Sequence, residues 1–133
     1  MSLKEFIAVT QALQNSNRVK MLKMLQHGEF CVCEIQATLG ISQAGASRHL
    51  ALLTEAGLVD RRKKGLWAYY CLAETPRSPY VAALLGNLRH WLETDKDVAR
   101  LIQSIPGIRR QNLCDVEWNE TRLKQNIFQK QRT

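Results

Sequence analysis

The sequence predicts a small, mainly α-helical fold of the α+β class with a single β-hairpin, and three observations support this prediction. Apolar residues recur at helical spacing in several segments, two short predicted helices are separated only by Gly40-Ile41, and an alternating segment around Gly65 follows them. A tight connection between two short helices is typical of a helix-turn-helix. With the hairpin as a wing, the predicted architecture is a winged helix-turn-helix.

Length and composition are consistent with a single domain. The 133 residues are 45% hydrophobic and 23% charged, and no apolar run approaches the length of a membrane span. The first twenty residues lack the pattern of a signal peptide, so we expect a cytoplasmic protein with reduced thiols and no stapling disulfides. The predicted organisation is a winged domain over 1–105 and a C-terminal extension over 106–133.

The N-terminal half predicts four helices. The first spans about the first fourteen residues, and the second begins after Asn15-Ser16-Asn17 and ends at His27-Gly28. The third is short, begins after Cys33 and is closed by Gly40, and the fourth is capped by Ser42 and ends at Gly57. The apolar side chains of the fourth helix recur at helical spacing, so one face of this helix is expected to be buried. The residues on that face are Ala46, Leu50, Leu53 and Ala56.

The C-terminal half predicts the wing and two more helices. The wing is expected over 58–72, with its turn at Gly65, and a linker is expected around Pro76 and Pro79. A strongly amphipathic helix then runs from Val81 to Leu92. A further helix begins at Thr94 or Asp95 and is broken near Pro106-Gly107, and no regular structure is predicted from Ile108 onward.

A polar face of the fourth helix and the basic hairpin are candidate DNA contacts. The net charge of +7 favours a polyanionic partner, although a basic surface alone is weak support. Glutamine can read adenine and arginine can read guanine, whereas serine and histidine can hold phosphates. The alternative interpretation is that the polar face of the fourth helix is an ordinary solvated surface. Gly45 either permits close approach to DNA or is a tolerated defect. The candidates are Ser42, Gln43, Ser47, Arg48 and His49 on the helix, and Arg61, Arg62, Lys63 and Lys64 on the wing.

Cys31-Val32-Cys33 is the sharpest chemical feature. Thiols two residues apart point to one side of an extended segment but to nearly opposite sides of a helix, so joint coordination requires a distorted helix start. Such thiolates select soft, thiophilic metals. The alternative is a pair of ordinary half-buried cysteines. Cys114 is either a third ligand or an incidental surface thiol, and Cys71 is expected to pack within its strand.

Taken together, these residues resemble the ArsR/SmtB family of metal-responsive repressors, and its arsenic-sensing members in particular, over residues about 4 to 93. The resemblance implies a homodimer that binds a pseudo-palindromic operator and releases it when As(III) or Sb(III) binds the thiolates of Cys31 and Cys33. The matching motifs are Arg18, Gly28 to Ile35, Ile41-Ser42-Gln43, Ser47 to Leu50, Leu53, Glu55 to Val59, Gly65, Trp67, Tyr69 and Tyr70.

The sequence departs from the family pattern at two places, and it allows alternative interpretations of the function. Many arsenic-sensing members have a third cysteine where this chain has Gln36, so Cys114, or a non-protein ligand, would complete the site. Asn87, His90 and Glu93 do not match the zinc-sensing spacing. The same thiols also suit cadmium, lead, reactive sulfur or oxidants. Further alternatives are a metal-blind regulator and a thiol enzyme, but the sequence has neither CxxC nor a phosphate-binding glycine loop.

Overall fold

A computed structural model describes residues 2–111 and 113 of the chain. Within them, helices dominate and one small sheet is present. No described helix is both long and apolar enough to cross a membrane. The elements in chain order are α1 (Leu3–Ala12), α2 (Ser16–Leu25), β1 (Phe30–Cys31), α3 (Val32–Leu39), α4 (Gln43–Glu55), β2 (Val59–Lys64), β3 (Trp67–Leu72), α5 (Pro79–Leu88) and α6 (Lys96–Arg110).

The helix-turn-helix consists of α3 and α4, as the sequence predicted. Gly40 ends α3 in the left-handed conformation (φ 66°, ψ 34°), and its N–H donates to the Gln36 carbonyl. Ser42 is the N-cap of α4, and its Oγ accepts from the Gly45 N–H at 3.1 Å. A Cβ on residue 45 would lie 3.1 Å from this oxygen, so Gly45 fits closely against the cap of its own helix.

The wing is a β2–β3 hairpin whose register runs from Val59 opposite Leu72 to Lys64 opposite Trp67. Gly65 turns the chain with φ +62°, a conformation that favours glycine. The sheet has a third strand that the sequence analysis missed, because β1 is only two residues long. It pairs antiparallel with β3, with Cys31 opposite Tyr69, and the strand order is β1-β3-β2.

One core joins the helices to the sheet. It contains Met21, Leu22 and Met24 of α2. It also contains three of the α4 residues that were predicted to face inward, and these are fully buried: Ala46, Leu50 and Leu53. Lys23 is also fully buried, and its hydrogen-bond partners among the described residues lie at the end of α5 or after it. Its Nζ donates to the carbonyls of Leu88 and Trp91 at 2.9 and 2.8 Å and pairs with Glu93 at 2.7 Å.

The predicted ends of several helices were wrong. Helix α1 ends at Ala12 and α2 at Leu25, each earlier than predicted, while α3 begins at Val32 and so includes Cys33. Pro79 is not part of a linker but the first residue of α5, where proline costs no hydrogen bond. Helix α5 ends at Leu88 rather than Leu92, because the chain turns there and Leu92 takes a positive φ of 65°.

Helix α6 continues through Pro106 to Arg110, so the predicted break at Pro106-Gly107 was wrong. Proline removes one helical hydrogen bond and crowds the preceding turn, at a cost of about 3 kcal/mol. Packing on either side offsets this cost, since Ile105 is buried in the core and Arg109 lies over the Phe30 ring. The division of the chain at residue 105 stays a prediction, although α6 crosses it.

Candidate DNA-binding surface and cysteine segment

Helix α4 presents a polar face to solvent next to its N-terminus. Ser42, Gln43, Ser47 and Arg48 are exposed, whereas the apolar side of the helix lies in the core. A helix with this arrangement can enter a major groove, because its buried face holds it on the domain while its polar side chains reach outward. Four of the five sequence-predicted contacts on this helix therefore share one accessible surface.

His49 differs from the other predicted contacts because it is half-buried and already bonded. Arg18 Nη1 lies 3.2 Å from its Nδ1, while the remaining guanidinium nitrogens of Arg18 donate to the carbonyls of Gln11 and Ala12. Burial, and then the positive charges of Arg18 and Arg48, lower the pKa of His49 below 6.5. The ring is therefore neutral near pH 7, accepts from Arg18 at Nδ1, and keeps Nε2–H as a donor.

The four wing cations divide between the two faces of β2. Arg62 pairs with Glu74 at 2.7 Å and with Glu29 at 3.4 Å, and Lys64 pairs with Glu29 at 2.6 Å. Arg61 and Lys63 point to the opposite face and are exposed, with no ion pair among the described residues. The wing therefore offers two cations whose charge is not already balanced.

Glu29 is the acidic residue at the base of this arrangement. Its hydrogen bond from Lys64 is the largest cause of a lowered pKa, and Arg62 acts in the same direction. Glu29 is therefore ionised across the physiological range. Lys64 also lies over the Tyr69 ring, with its Nζ 5.7 Å from the ring centroid. Sequence reasoning used Glu29 only as part of a family motif and did not predict its contact with the wing.

The cysteine segment is the junction of β1 and α3. Cys31 ends β1 and is the N-cap of α3, and Cys33 lies in the first turn of the helix. The positive end of a helix favours negative charge, which a thiolate supplies. Among the described residues, no group of three histidine, cysteine or acidic side chains could hold a metal ion. Cys114 lies outside the described residues, so its predicted role as a third ligand stays a prediction.

Helix α6 and the first turn of α3 hold the cysteine segment in place. Glu34 is buried, and its Oε1 accepts from the Cys31 N–H at 3.0 Å, while Arg109 Nη1 lies 3.6 Å from the other oxygen. The Arg109 guanidinium stacks 3.8 Å above the Phe30 ring. Gly28 has φ +134°, and a Cβ there would lie 2.9 Å from Arg109 Nη2. Distortion of the segment would therefore disturb several defined contacts.

Cys71 is buried in β3, as predicted for a packing residue. Burial is the largest cause of a raised pKa for its thiol, and it outweighs the opposing effect of Arg62. Because a metal ligand must be deprotonated, a thiol kept protonated by burial is a poor one. Cys71 is therefore a poor candidate for a metal ligand.

This arrangement of an exposed helix and a basic wing on a helical body defines a winged helix-turn-helix DNA-binding regulator rather than an enzyme. The model of the arsR family of bacterial regulatory proteins matches residues 15–61. The chain is 41% identical over 93 residues to the arsenic resistance transcriptional regulator ArsR1 of Pseudomonas putida, covering 65% of this chain and 71% of that protein. The chain belongs to the arsR family.

The names of other relatives refer to resistance to more than one metal or metalloid. The arsenical resistance operon repressor of Escherichia coli is 40% identical over 83 residues, covering 62% of this chain and 67% of that protein. A cadmium resistance regulatory protein CadC homolog of Staphylococcus aureus is 42% identical over 65 residues, covering 48% and 54%. The homodimeric winged helix-turn-helix domain Mb0332 of Mycobacterium bovis superposes with a TM-score of 0.58 at 30% identity, covering 71% and 83%.

Proposed function

We propose that this protein is a dimeric transcriptional repressor that releases its operator when As(III) or Sb(III) binds Cys31 and Cys33. The observation that carries the proposal is the position of these thiols at the start of α3, the helix immediately before the recognition helix α4. Soft thiolates suit thiophilic metalloids, and the named functions of the arsenic resistance relatives agree with that chemistry. Cys114 is our candidate for a third ligand.

Binding at the cysteines would act on DNA through the helix-turn-helix. Coordination by both thiolates requires the first turn of α3 to distort, which would disturb the hydrogen bond from the Cys31 N–H to Glu34. The tight turn at Gly40 joins α3 directly to the capped start of α4. A coupling free energy of about 1–3 kcal/mol would weaken operator binding by roughly 5- to 150-fold.

DNA contact is assigned to the polar start of α4 and to the wing. Gln43 and Arg48 would read base edges, and Ser42, Ser47 and His49 would hold the backbone. Arg61 and Lys63 would contact phosphates directly, because the carboxylates of Glu29 and Glu74 already hold Arg62 and Lys64. A pseudo-palindromic operator would match the two-fold symmetry of a dimer.

The dimer would form through α1 and the segment that follows α5. The exposed fractions of Leu3, Phe6 and Ile7 on α1 are 77%, 42% and 42%, and those of Trp91 and Leu92 are 52% and 43%. Phe6 also packs edge-to-face on Tyr80 of α5, with 5.0 Å between ring centroids. Exposed apolar surface of this extent is typical of an association face, and the Mb0332 domain is homodimeric.

An operator-release assay tests the inducer and the ligands together. Operator affinity is measured with arsenite, antimonite, cadmium and zinc for the native protein and for Cys31→Ser, Cys33→Ser and Cys114→Ser. We expect arsenite and antimonite to release the native protein, and either Cys31→Ser or Cys33→Ser to keep DNA binding but lose release. Cys71→Ala is the matched control and should respond like the native protein.

Two results would overturn the arsenic proposal. The first is that arsenite binds the protein, as measured by thiolate–arsenic absorbance, but leaves operator affinity unchanged. The second is that the Cys31→Ser and Cys33→Ser variants still release DNA when arsenite is added. Release by cadmium alone would favour the second candidate, a cadmium or lead sensor on the same thiols, which the relationship to the cadmium regulator supports. Release by thiol oxidants alone would instead indicate a redox or reactive-sulfur sensor.

A further inference from the structure

Glu29 connects the cysteine segment directly to the wing. It lies just before β1, two residues from Cys31 in sequence. Its Oε2 is 2.6 Å from Lys64 Nζ and its Oε1 is 3.4 Å from Arg62 Nη1. The residue that immediately precedes the cysteine segment therefore holds two cations of the proposed DNA-binding wing.

Backbone pairing supports the same connection. Phe30 lies opposite Tyr70 and Cys31 opposite Tyr69, so β1 and the wing strand β3 are parts of one sheet. Lys64 is held both by Glu29 and over the Tyr69 ring. A displacement of residues 29–33 would thus move the Glu29 carboxylate and disturb the strand at the base of the wing together.

We propose that Glu29 is a positioning residue that couples the cysteine segment to the wing, so that displacement of the segment reorients the wing on DNA. This inference rests on the proposed function and adds a second route to it. The first route passes from α3 through the Gly40 turn to the recognition helix, and the second passes through Glu29 to Arg62 and Lys64. Loss of Glu29 should weaken the communication while leaving the thiols in place.

Glu74 provides a matched control. It follows β3 and pairs with the same Arg62 at 2.7 Å, but it is not part of the cysteine segment. Glu29→Gln and Glu74→Gln each remove one negative charge beside the wing; the first removes an ion-pair partner of both Arg62 and Lys64, and the second removes a partner of Arg62. Both variants should therefore bind the operator more tightly than the native protein in the absence of inducer, with a steeper salt dependence. Only Glu29→Gln should alter the response to inducer.

The experiment compares operator affinity with and without arsenite for the native protein and both variants. The release factor is the ratio of operator affinity without arsenite to operator affinity with arsenite, and a coupling of the size proposed above makes it roughly 5 to 150. We expect this factor to be at least about threefold smaller for Glu29→Gln than for the native protein, while Glu74→Gln keeps the native factor. Arsenite affinity, followed by thiolate–arsenic absorbance in the absence of DNA, should be unchanged in both. Equal release factors for the two variants would overturn the inference while leaving the proposed function intact.

A second measurement applies even if no thiophilic ligand releases the native protein, which would defeat the proposed function. Coupling between sites is reciprocal, so operator binding should slow hydrogen exchange at the backbone amides of Phe30 and Cys31. We expect this slowing in the native protein and in Glu74→Gln, and a clear reduction of it in Glu29→Gln. Equal slowing in all three proteins would show that Glu29 carries no communication.

Discussion

The division of the wing cations predicts different salt dependences for two double variants. Arg61→Ala/Lys63→Ala removes the two exposed cations that lack an ion pair among the described residues. In a dimer this is about four phosphate contacts, and at about 0.9 per contact the slope of log affinity against log salt should fall by about 3.6. The ratio of native to variant operator affinity should therefore be roughly 150 times smaller at about 200 mM salt than at about 50 mM salt.

Arg62→Ala/Lys64→Ala removes the same number and types of charge, so it is the matched comparison. Glu29 and Glu74 already compete for these cations, and we expect a drop in slope of about 1 or less. Fluorescence anisotropy with a labelled operator and with an unrelated duplex, over a salt series, measures both slopes. Equal slopes for the two variants, or no drop for Arg61→Ala/Lys63→Ala, would refute the division of the wing into free and held cations.

Three further predictions concern stability and assembly. Lys23→Met leaves the carbonyls that Lys23 satisfies without a donor, so urea unfolding should show a loss of about 2–4 kcal/mol, whereas Lys20→Met on the same helix should change stability by less than about 0.5 kcal/mol. The pKa of His49 is lower in the folded state than in the unfolded chain. The contribution of the neutral His49 ring to folding stability is therefore fully present above the unfolded-state pKa of 6.5 and is lost as the pH falls through the folded-state pKa. His49→Gln should therefore lose less stability than the native protein between about pH 7.5 and about pH 5, and an equal loss would contradict the assignment. Ile7→Glu should yield monomers in sedimentation velocity, whereas Leu66→Glu at the exposed wing turn should not, and a dimeric Ile7→Glu would exclude α1 from the interface.

Local patterns predicted the elements that depend on neighbouring residues. Ser42 has the side chain of an N-cap, and it caps α4, while Gly40 and Gly65 adopt the positive φ that their positions require. Helical periodicity identified the buried face of α4, because that face follows from spacing alone. The helix-turn-helix and the wing were therefore predictable from sequence.

Contacts between distant segments were not predictable in the same way. A two-residue strand such as β1 has no periodicity of its own, and it exists because β3 offers it a partner. Helix α6 passes Pro106 because Ile105 and Arg109 pack onto other elements, a gain that the local sequence does not show. Lys23 carried a sequence signal, a lysine within an apolar run, but its carbonyl partners lie more than sixty residues away.

By itself, the sequence determined the class of fold, the recognition helix, the basic wing and the paired thiols, because caps, turns and periodicity act within a few residues. Tertiary structure decided which of those groups already have partners. It placed His49 against Arg18 and divided the wing between exposed and held cations. It also brought Glu29 from beside the cysteines to the wing, since chain folding, rather than sequence spacing, sets distances between charges.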